Sequence, residues 1–304
     1  MTHNYIYKTL RALCDLPFSL RRTPSPHIVM TLLVKNEEQL LADNIEFHHA
    51  MGVEHFIITD NNSSDRTPEI IRQSQEKGWV LEVINETSTG YEQKAWVDRM
   101  IELAREKYHA DWVINADADE FWYPKCGDFR KLLSQTRATV LEGHVHNVYP
   151  QEGKEWKEWN LLVREVPNAA NYDLSPYSIF AFHRNKLMHR TRGYLQISMG
   201  NHRVKMLPYR CQQNEITIFH FNLRSRQQFI DKMVNGGKEL EAHKGRHGGR
   251  HWRYYYRIYK EGRLSEEYDR VVGTTVFEQF KAANYIFEDN RLRDAFKAIQ
   301  ANKE

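Results

Sequence analysis

The chain has 304 residues, of which 41% are hydrophobic and 12% aromatic, enough to bury the core of one large domain, with or without an appendage. A formal net charge of +3 is too small to define a nucleic-acid binder. No run of about 18 apolar residues occurs and no signal peptide is recognisable, so we expect a cytoplasmic protein. Three widely spaced cysteines, Cys14, Cys126 and Cys211, argue against a disulfide framework and a zinc knuckle.

The first 26 residues precede the first predicted strand of the core. Residues 5–20 are amphipathic and are followed by the pair Arg21-Arg22 and the helix breaker Pro24-Ser25-Pro26. We expect residues 1–26 to form an appendage that either packs on the protein's own core or binds weakly to an anionic membrane surface.

Apolar runs of strand length alternate with helical patterns through the N-terminal half. The runs cover residues 28–34, 55–59, 80–84 and 112–114. Asn36 is the predicted N-cap of the first intervening helix, and Thr67-Pro68 is the predicted start of the second. Such alternation implies parallel pairing and a layered α/β domain, in which ligands bind beyond the carboxyl ends of the strands.

A polar segment follows each strand, at residues 35–37, 60–65, 90–94 and 115–120. In the last segment, Asp117 and Asp119 can bind one hard divalent cation, which keeps positions open for phosphate oxygens. A solvated acidic turn without metal is the alternative. A dinucleotide site is not supported, because the first turn between strand and helix lacks a glycine triplet, and no P-loop occurs.

Three segments carry a family resemblance: Val34-Lys35-Asn36-Glu37, residues 60–67, and Asp117-Ala118-Asp119-Glu120-Phe121. In this order and at these separations they resemble the nucleotide-sugar half of family 2-like glycosyltransferases with a GT-A fold. The Asp-x-Asp-Glu-Phe form, with residues 219–225, Phe229 and Lys232, is similar to a bacterial subgroup associated with lipopolysaccharide and capsule assembly.

The resemblance implies a fold and a division of the chain. The fold is α/β of the GT-A type, with a mixed, mainly parallel sheet flanked by helices and a helical C-terminal appendage. After the appendage at 1–26, the GT-A domain covers residues 27–240, with a nucleotide-sugar half at 27–123 and an acceptor half at 124–240. Residues 241–304 are expected to form a basic aromatic loop and the C-terminal helices.

The resemblance also implies roles for polar residues. Asp117 and Asp119 match the pair that binds Mn²⁺ or Mg²⁺ on the donor diphosphate, and Asp60 matches the acidic residue that reads base and ribose. A cation there stabilises the charge that builds on the departing nucleoside diphosphate. The other residues predicted to bind nucleotide or substrate are Lys35, Asn36, Glu37, Asn62, Lys94 and His202.

A histidine is expected to complete the metal site. His220, in the strand-like run 216–221, is the predicted third metal ligand, because neutral imidazole suits a transition-metal ion such as Mn²⁺. His202 is the rival, and either histidine can instead be structural.

Residues 244–260 are basic and rich in aromatic side chains, a composition suited to phosphates, anionic headgroups or sugar rings, or else to a solvated helix face that carries a few core aromatic residues. The helical spacing of His243, His247 and His251 suggests zinc, but three nearby glycines favour a basic loop instead. Such a loop can close over a nucleotide, with Lys244, Arg246 or Arg250 contacting phosphate.

Inverting transfer, which the resemblance implies, needs a carboxylate to take the proton of the acceptor hydroxyl. Asp173 is the predicted base, with Glu215 and Glu120 as alternatives, and each can instead be structural. The sequence thus predicts a metal-dependent glycosyltransferase that uses a nucleotide-sugar donor and a glycan or lipid-linked acceptor. A nucleotide-sugar hydrolase, a nucleotidyltransferase and an inactive glycan-binding relative are the alternatives.

Overall fold

The computed structural model describes residues 2–87, 92–172, 178, 180, 184–242 and 250–303. It divides into two compact units. The first unit comprises Met1–Val145 and Arg184–Ile218, and the second comprises His146–His183 and Phe219–Glu304. Asp173, His243, Lys244, Arg246 and His247 lie outside the described residues.

A parallel sheet forms the centre of the first unit. It contains β1 (Ile28–Val34), β2 (His55–Asp60), β3 (Val80–Asn85) and β4 (Trp112–Ala116), in the order β3-β2-β1-β4. The strands alternate with α2 (Leu41–Ala50), α3 (Thr67–Glu76) and α4 (Gln93–Glu106). The apolar side chains of these strands are divided between two buried clusters, one on each face of the sheet. In β1, for example, Met30 belongs to one cluster and Val29 to the other, because successive side chains of a strand point to opposite faces.

Antiparallel strands extend this sheet. The rest of the first unit contains α1 (Thr2–Ser19), β5 (Glu120–Pro124), α5 (Phe129–Gln135), β8 (Lys186–Arg190), β9 (Tyr194–Ile197) and β10 (Val204–Met206). Strand β8 is antiparallel to β4, with Met188 opposite Ile114, and it also pairs with β6 (Val140–Val148). Strand β11 (Cys211–His220) pairs with β5 and β6, and both β6 and β11 continue into the second unit.

Helices dominate the second unit. It contains β7 (Leu161–Val163), α6 (Arg226–Ala242), α7 (Arg250–Lys260), α8 (Leu264–Val272), α9 (Thr274–Ala282), β12 (Ile286–Glu288) and α10 (Arg291–Ala301). Helices α6 and α7 pack closely at two glycines: a Cβ at Gly236 would lie 2.6 Å from Trp252, and one at Gly237 would lie 2.2 Å from Tyr256. In the described chain, no helix combines the length and the apolar content that a bilayer crossing requires.

The predicted fold class is confirmed: a mixed α/β sheet of GT-A type is flanked by helices, and further helices follow toward the C-terminus. The three predicted domain ranges stay predictions.

Two local predictions were wrong. Asn36 is not the N-cap of α2. It lies in the loop after β1 with a φ of 56°, and α2 begins at Leu41 with Leu40 as its N-cap. The basic aromatic segment is not a loop from Arg250 onward, since α7 buries Tyr255 and Ile258 on one face.

Candidate active site

The loops after β1 and β2 are tied together by hydrogen bonds. The Asn36 amide nitrogen donates to Ser63 Oγ (2.9 Å), and the Ser64 amide nitrogen donates to Asn36 Oδ1 (2.8 Å). Asn36 and Asn62 have φ values of 56° and 55°, the left-handed region in which asparagine is enriched among non-glycine residues. The sequence missed this link because its two halves lie 27 and 28 residues apart.

We call these two linked loops, which follow β1 and β2, the double loop. Asp60 is the last residue of β2, and its side chain bonds to Ser63 in the double loop. It is only 6% exposed, and its Oδ1 accepts hydrogen bonds from the Ser63 amide nitrogen (3.1 Å) and Ser63 Oγ (2.5 Å). These bonds fix the orientation of the carboxylate. Four of the other predicted binding residues are exposed, and Glu37 is half-buried; the exposed ones are Lys35, Asn36, Asn62 and Lys94, the second residue of α4.

The Asp-x-Asp segment forms a turn between β4 and β5, and a side chain of α2 hydrogen-bonds to the backbone of this turn. The Asn44 side-chain amide donates to the carbonyl oxygens of Ala118 (3.0 Å) and Glu120 (2.8 Å). His48 Nε2 accepts from the Trp122 amide nitrogen (2.9 Å), so the ring proton lies on Nδ1 and is donated to the Asn44 carbonyl (2.8 Å). Asn44 and His48 are fully buried, and both are absent from the predicted site.

Lys186 supplies a positive charge at this turn. Its Nζ lies 2.6 Å from Asp117 Oδ2 and 2.5 Å from Glu120 Oε1. Burial alone would lower the pKa of Lys186, but the two carboxylates outweigh burial and leave that pKa raised, so the lysine stays protonated. The lysine is the first residue of β8, a strand that also contains His189 and Arg190, so its charge alone did not mark it in the sequence.

Glu120 is a support of the turn and not an acceptor base. It is completely buried, and its Oε2 accepts from the Asp117 amide nitrogen (3.3 Å) and Trp122 Nε1 (3.4 Å). In contrast, the Asp117 side chain is 40% exposed, whereas residue Asp119 is 6% exposed. Asp117 is therefore the carboxylate of this turn most open to solvent.

His202 is linked to the strand that precedes Asp117 by a hydrogen bond of its neighbouring residue. The preceding residue, Asn201, donates its side-chain amide to the Asn115 carbonyl (3.2 Å), two residues before Asp117. His202 Nδ1 lies 3.0 Å from the Asn185 carbonyl, so the proton lies on Nδ1 and Nε2 keeps its lone pair. Gly200 leaves room for this ring, because a Cβ there would lie 2.7 Å from His202 Nε2.

The electrostatics of His202 fit a neutral ligand. Burial is the main cause of its lowered pKa, and Lys186 and Arg184 lower that pKa further, whereas Asp117 acts in the opposite direction. Carboxylates and a neutral imidazole are ligand types that suit Mn²⁺, and carboxylates also suit Mg²⁺, but the ligand atoms of Asp117, Asp119 and His202 do not all lie within 4.8 Å of one another in this structure.

The remaining predicted residues of the described chain lie on β11 and α7. His220 is half-buried at the end of β11 and belongs to the second unit. Glu215 lies within β11, where its carbonyl accepts a hydrogen bond from the Lys125 amide nitrogen (2.8 Å). Arg250 is exposed at the first position of α7.

A separate group of metal-ligating side chains lies at the amino ends of β1 and β2. In the described part of the chain, His27, Glu54 and His55 are the one set of three or more such residues whose ligand atoms lie within 4.8 Å of one another. His27 Nε2 is 2.9 Å from His55 Nδ1. Because Asp117 follows the carboxyl end of β4 in the same parallel sheet, this triad lies at the opposite edge from the acidic turn.

Comparisons with known proteins identify a family and several similar solved structures. The sequence model of glycosyltransferase family 92 matches residues 29–254. No curated protein matches the chain. Structures similar to this chain include S. aureus TarS 1-349, with 14% identity over 83% of this chain and 74% of that chain and a TM-score of 0.38.

A second structure of TarS 1-349, in complex with UDP, is 11% identical at the same coverage and TM-score. Glucosyl-3-phosphoglycerate synthase from Mycobacterium tuberculosis, in complex with Mn²⁺, UDP and glucosyl-3-phosphoglycerate, is 16% identical over 42% of this chain and 45% of that chain, with a TM-score of 0.27.

The family match defines the class of protein as a glycosyltransferase, on the α/β scaffold described above. More specifically, the chain belongs to glycosyltransferase family 92. The predicted class, glycosyltransferase, is confirmed. The family is number 92, whereas the sequence motifs resemble those of family 2-like enzymes.

Proposed function

We propose that this glycosyltransferase moves a sugar from a nucleotide-sugar donor, a UDP-sugar, to a glycan or lipid-linked acceptor, with inversion at the anomeric carbon. The observation that carries the proposal is the position of Asp60 and of the Asp117–Asp119 turn, at the carboxyl ends of the parallel strands β2 and β4, which flank β1 on its two sides. In sheets of this kind, that edge is where ligands bind. The donor therefore lies across β1, β2 and β4.

The nucleoside end of the donor belongs at the double loop. Asp60 has one carboxylate oxygen bonded to Ser63, which fixes its second oxygen for the ribose or base. Lys35 and Lys94, both exposed, are the basic residues proposed to contact phosphate from the loop after β1 and the start of α4.

The diphosphate belongs at the acidic turn. Asp117 and Asp119 would hold Mn²⁺ or Mg²⁺, which supplies positive charge for the leaving nucleoside diphosphate. We propose a histidine as a further ligand. His220 is the choice that the family resemblance favours, and His202 is the choice that its neutral Nε2 supports. Lys186 holds the Asp117 carboxylate in place from the buried side.

Inversion requires a base on the acceptor side, and Asp173 remains the proposed residue. A lipid-linked acceptor would place the reaction at the inner face of the bacterial cell membrane, in lipopolysaccharide or capsule synthesis. The cytoplasm supplies the nucleotide sugar in this proposal.

A panel of nucleotide sugars with Mn²⁺ tests the proposal. We expect release of nucleoside diphosphate that depends on a glycan or lipid-linked acceptor and stops when the metal is chelated. Release without an acceptor would show a hydrolase, and binding without turnover would show an inactive relative.

Variants of the chain sharpen this test. Asp117→Asn and Asp119→Asn should each lower turnover by about 100-fold or more with the fold kept, because each removes metal-binding charge at nearly constant volume. His55→Gln, in the triad at the opposite edge, is the matched control and should keep its activity. Full activity in both aspartate variants would overturn the metal site.

A further inference from the structure

Helix α1 presents its apolar side chains to solvent. Of the ten large hydrophobic side chains that are exposed in the described residues, seven lie in this one helix. They are Tyr5, Ile6, Tyr7, Leu10, Leu13, Leu16 and Phe18, each between 40% and 59% exposed. The spacing of Ile6, Leu10 and Leu13 places three of them on a single face of the helix.

The opposite face of α1 is polar, and it is the face that packs on the protein. Lys8 is 4% exposed, and its Nζ lies 2.7 Å from Asp98 and 2.9 Å from Glu102 of α4. Arg11 also pairs with Glu102, at 2.7 Å. Ion pairs thus join α1 to α4.

The same inner face continues toward the end of the helix. Asp15 accepts from the Gly193 amide nitrogen (2.9 Å) and pairs with Arg105 (2.9 Å), while Ala12 and Ser19 are completely buried. A surface helix of a globular protein normally buries its apolar face, so the orientation of α1 is reversed. Helix α1 does pack on the protein, as one of the two sequence-based alternatives has it, but through its polar face.

The exposed face ends in positive charge. Arg21, Arg22 and Arg192 are exposed, and no carboxylate of the described chain pairs with them. The Arg21 and Arg192 guanidinium carbons lie 4.7 and 5.6 Å from the centre of the Phe18 ring. The one acidic residue of α1, Asp15, lies on the inner face. The outer surface is therefore apolar and cationic.

We infer that α1 is a docking helix for an anionic bilayer, with Leu10 and Leu13 at the boundary of the acyl chains and Arg21, Arg22 and Arg192 among the headgroups. Apolar and cationic side chains on one face are the combination that such surfaces bind. A second copy of the chain is a poorer partner, because antiparallel pairing of two such faces would bring the arginines to the positive N-terminal end of the other helix. The inference rests on the proposed function only in giving docking a purpose, access to a lipid-linked acceptor.

Vesicle flotation tests the inference with the full chain and without any assay of activity. We expect co-flotation with vesicles of about 30 mol% anionic lipid at about 0.05 M salt, and loss of it at about 0.5 M salt, where charges are screened within a few ångströms. Zwitterionic vesicles should not carry the protein. No co-flotation at low salt would overturn the inference.

Three variants separate the contributions. Leu10→Gln with Leu13→Gln should lower vesicle affinity by at least about tenfold, because both residues are exposed and lie in the proposed contact. Arg21→Gln with Arg22→Gln should lower it by about 25-fold, since each charge near an anionic surface contributes about fivefold. Tyr209→Gln, which removes a side chain that is 54% exposed elsewhere on the same unit, is the matched control and should bind as the wild type does.

Two outcomes would contradict the docking helix even if vesicles bind. Equal binding by the leucine variant and the wild type would place the contact elsewhere. A lipid-free dimer that the leucine substitutions dissociate would assign the face to a second copy. If the nucleotide-sugar panel fails while flotation succeeds, the docking helix stands and the proposed transfer falls.

Discussion

Lys186 balances the charge of the acidic turn, and its removal has a predictable result. Lys186→Met leaves Glu120 completely buried without its cation, so the free energy of unfolding should fall by about 3 to 5 kcal/mol. Urea unfolding measures this change. Lys107→Met is the matched control: Lys107 pairs with Glu82 at the surface, and its loss should leave the urea midpoint close to that of the wild type. Equal effects of the two substitutions would show that Lys186 carries no special role.

The two histidines proposed as metal ligands are also distinguished at the residue scale. His220→Ala should raise the Mn²⁺ concentration needed for half-maximal activity by about tenfold or more, because losing a metal ligand, or a group that orients one, has an effect of this size. His202→Ala should then mainly raise the acceptor KM. A reversal of the two phenotypes would assign the metal to His202, whose Nε2 the structure keeps unprotonated.

At the scale of elements, α2 sets the position of the acidic turn through one side chain. Asn44→Ala removes the donor to two buried carbonyls, Ala118 and Glu120, and each unsatisfied carbonyl costs about 1 to 3 kcal/mol. We expect lower stability in urea and a weaker apparent affinity for Mn²⁺. Ser74→Ala, which removes a buried hydroxyl bonded within α3, is the control and should leave Mn²⁺ activation unchanged. Wild-type Mn²⁺ activation in the Asn44 variant would contradict the positioning role.

For the whole molecule, buried neutral histidines predict a loss of stability in mild acid. Burial lowers the pKa of His48 to about 3 and that of His189 to about 4, whereas both have a pKa near 6.5 in the unfolded chain. The unfolded chain therefore binds more protons below pH 6.5, so this stability is complete above that pH and falls as the pH decreases. At pH 5.5 each histidine should account for about 1.4 kcal/mol of lost stability.

Urea unfolding at pH 7.5 and 5.5 measures this loss. The His48→Gln variant should lose about half as much stability from these two sites as the wild type does over the same interval. His109→Asn is the control, because His109 is exposed at a φ of 53° that asparagine tolerates. An unchanged slope in the His48 variant would show that another group causes the acid sensitivity.

The parts of the fold that could be predicted are those with local causes. Fully buried strands such as β1 are continuous apolar runs, and a proline near the start of α3 fixes its beginning within a residue. Lys186 could not be placed in the site, because its partner Asp117 lies 69 residues earlier and only the antiparallel register of β8 against β4 brings them together. Likewise, the periodicity of α1 defines two faces without saying which one meets α4.

The asparagine link between the first two loops affects the thermodynamics of donor binding. Ordering the backbone of a flexible loop costs about 1 to 2 kcal/mol per residue, a penalty that a ligand must offset when it organises its own pocket. Here Asn36, Ser63 and Ser64 have already fixed that backbone through their own bonds. The proposed nucleoside end of the site is thus preorganised, so little of a donor's binding energy would be lost to ordering there. A substitution at Asn36 would therefore raise the conformational entropy of the free double loop and, under the proposed function, weaken donor affinity.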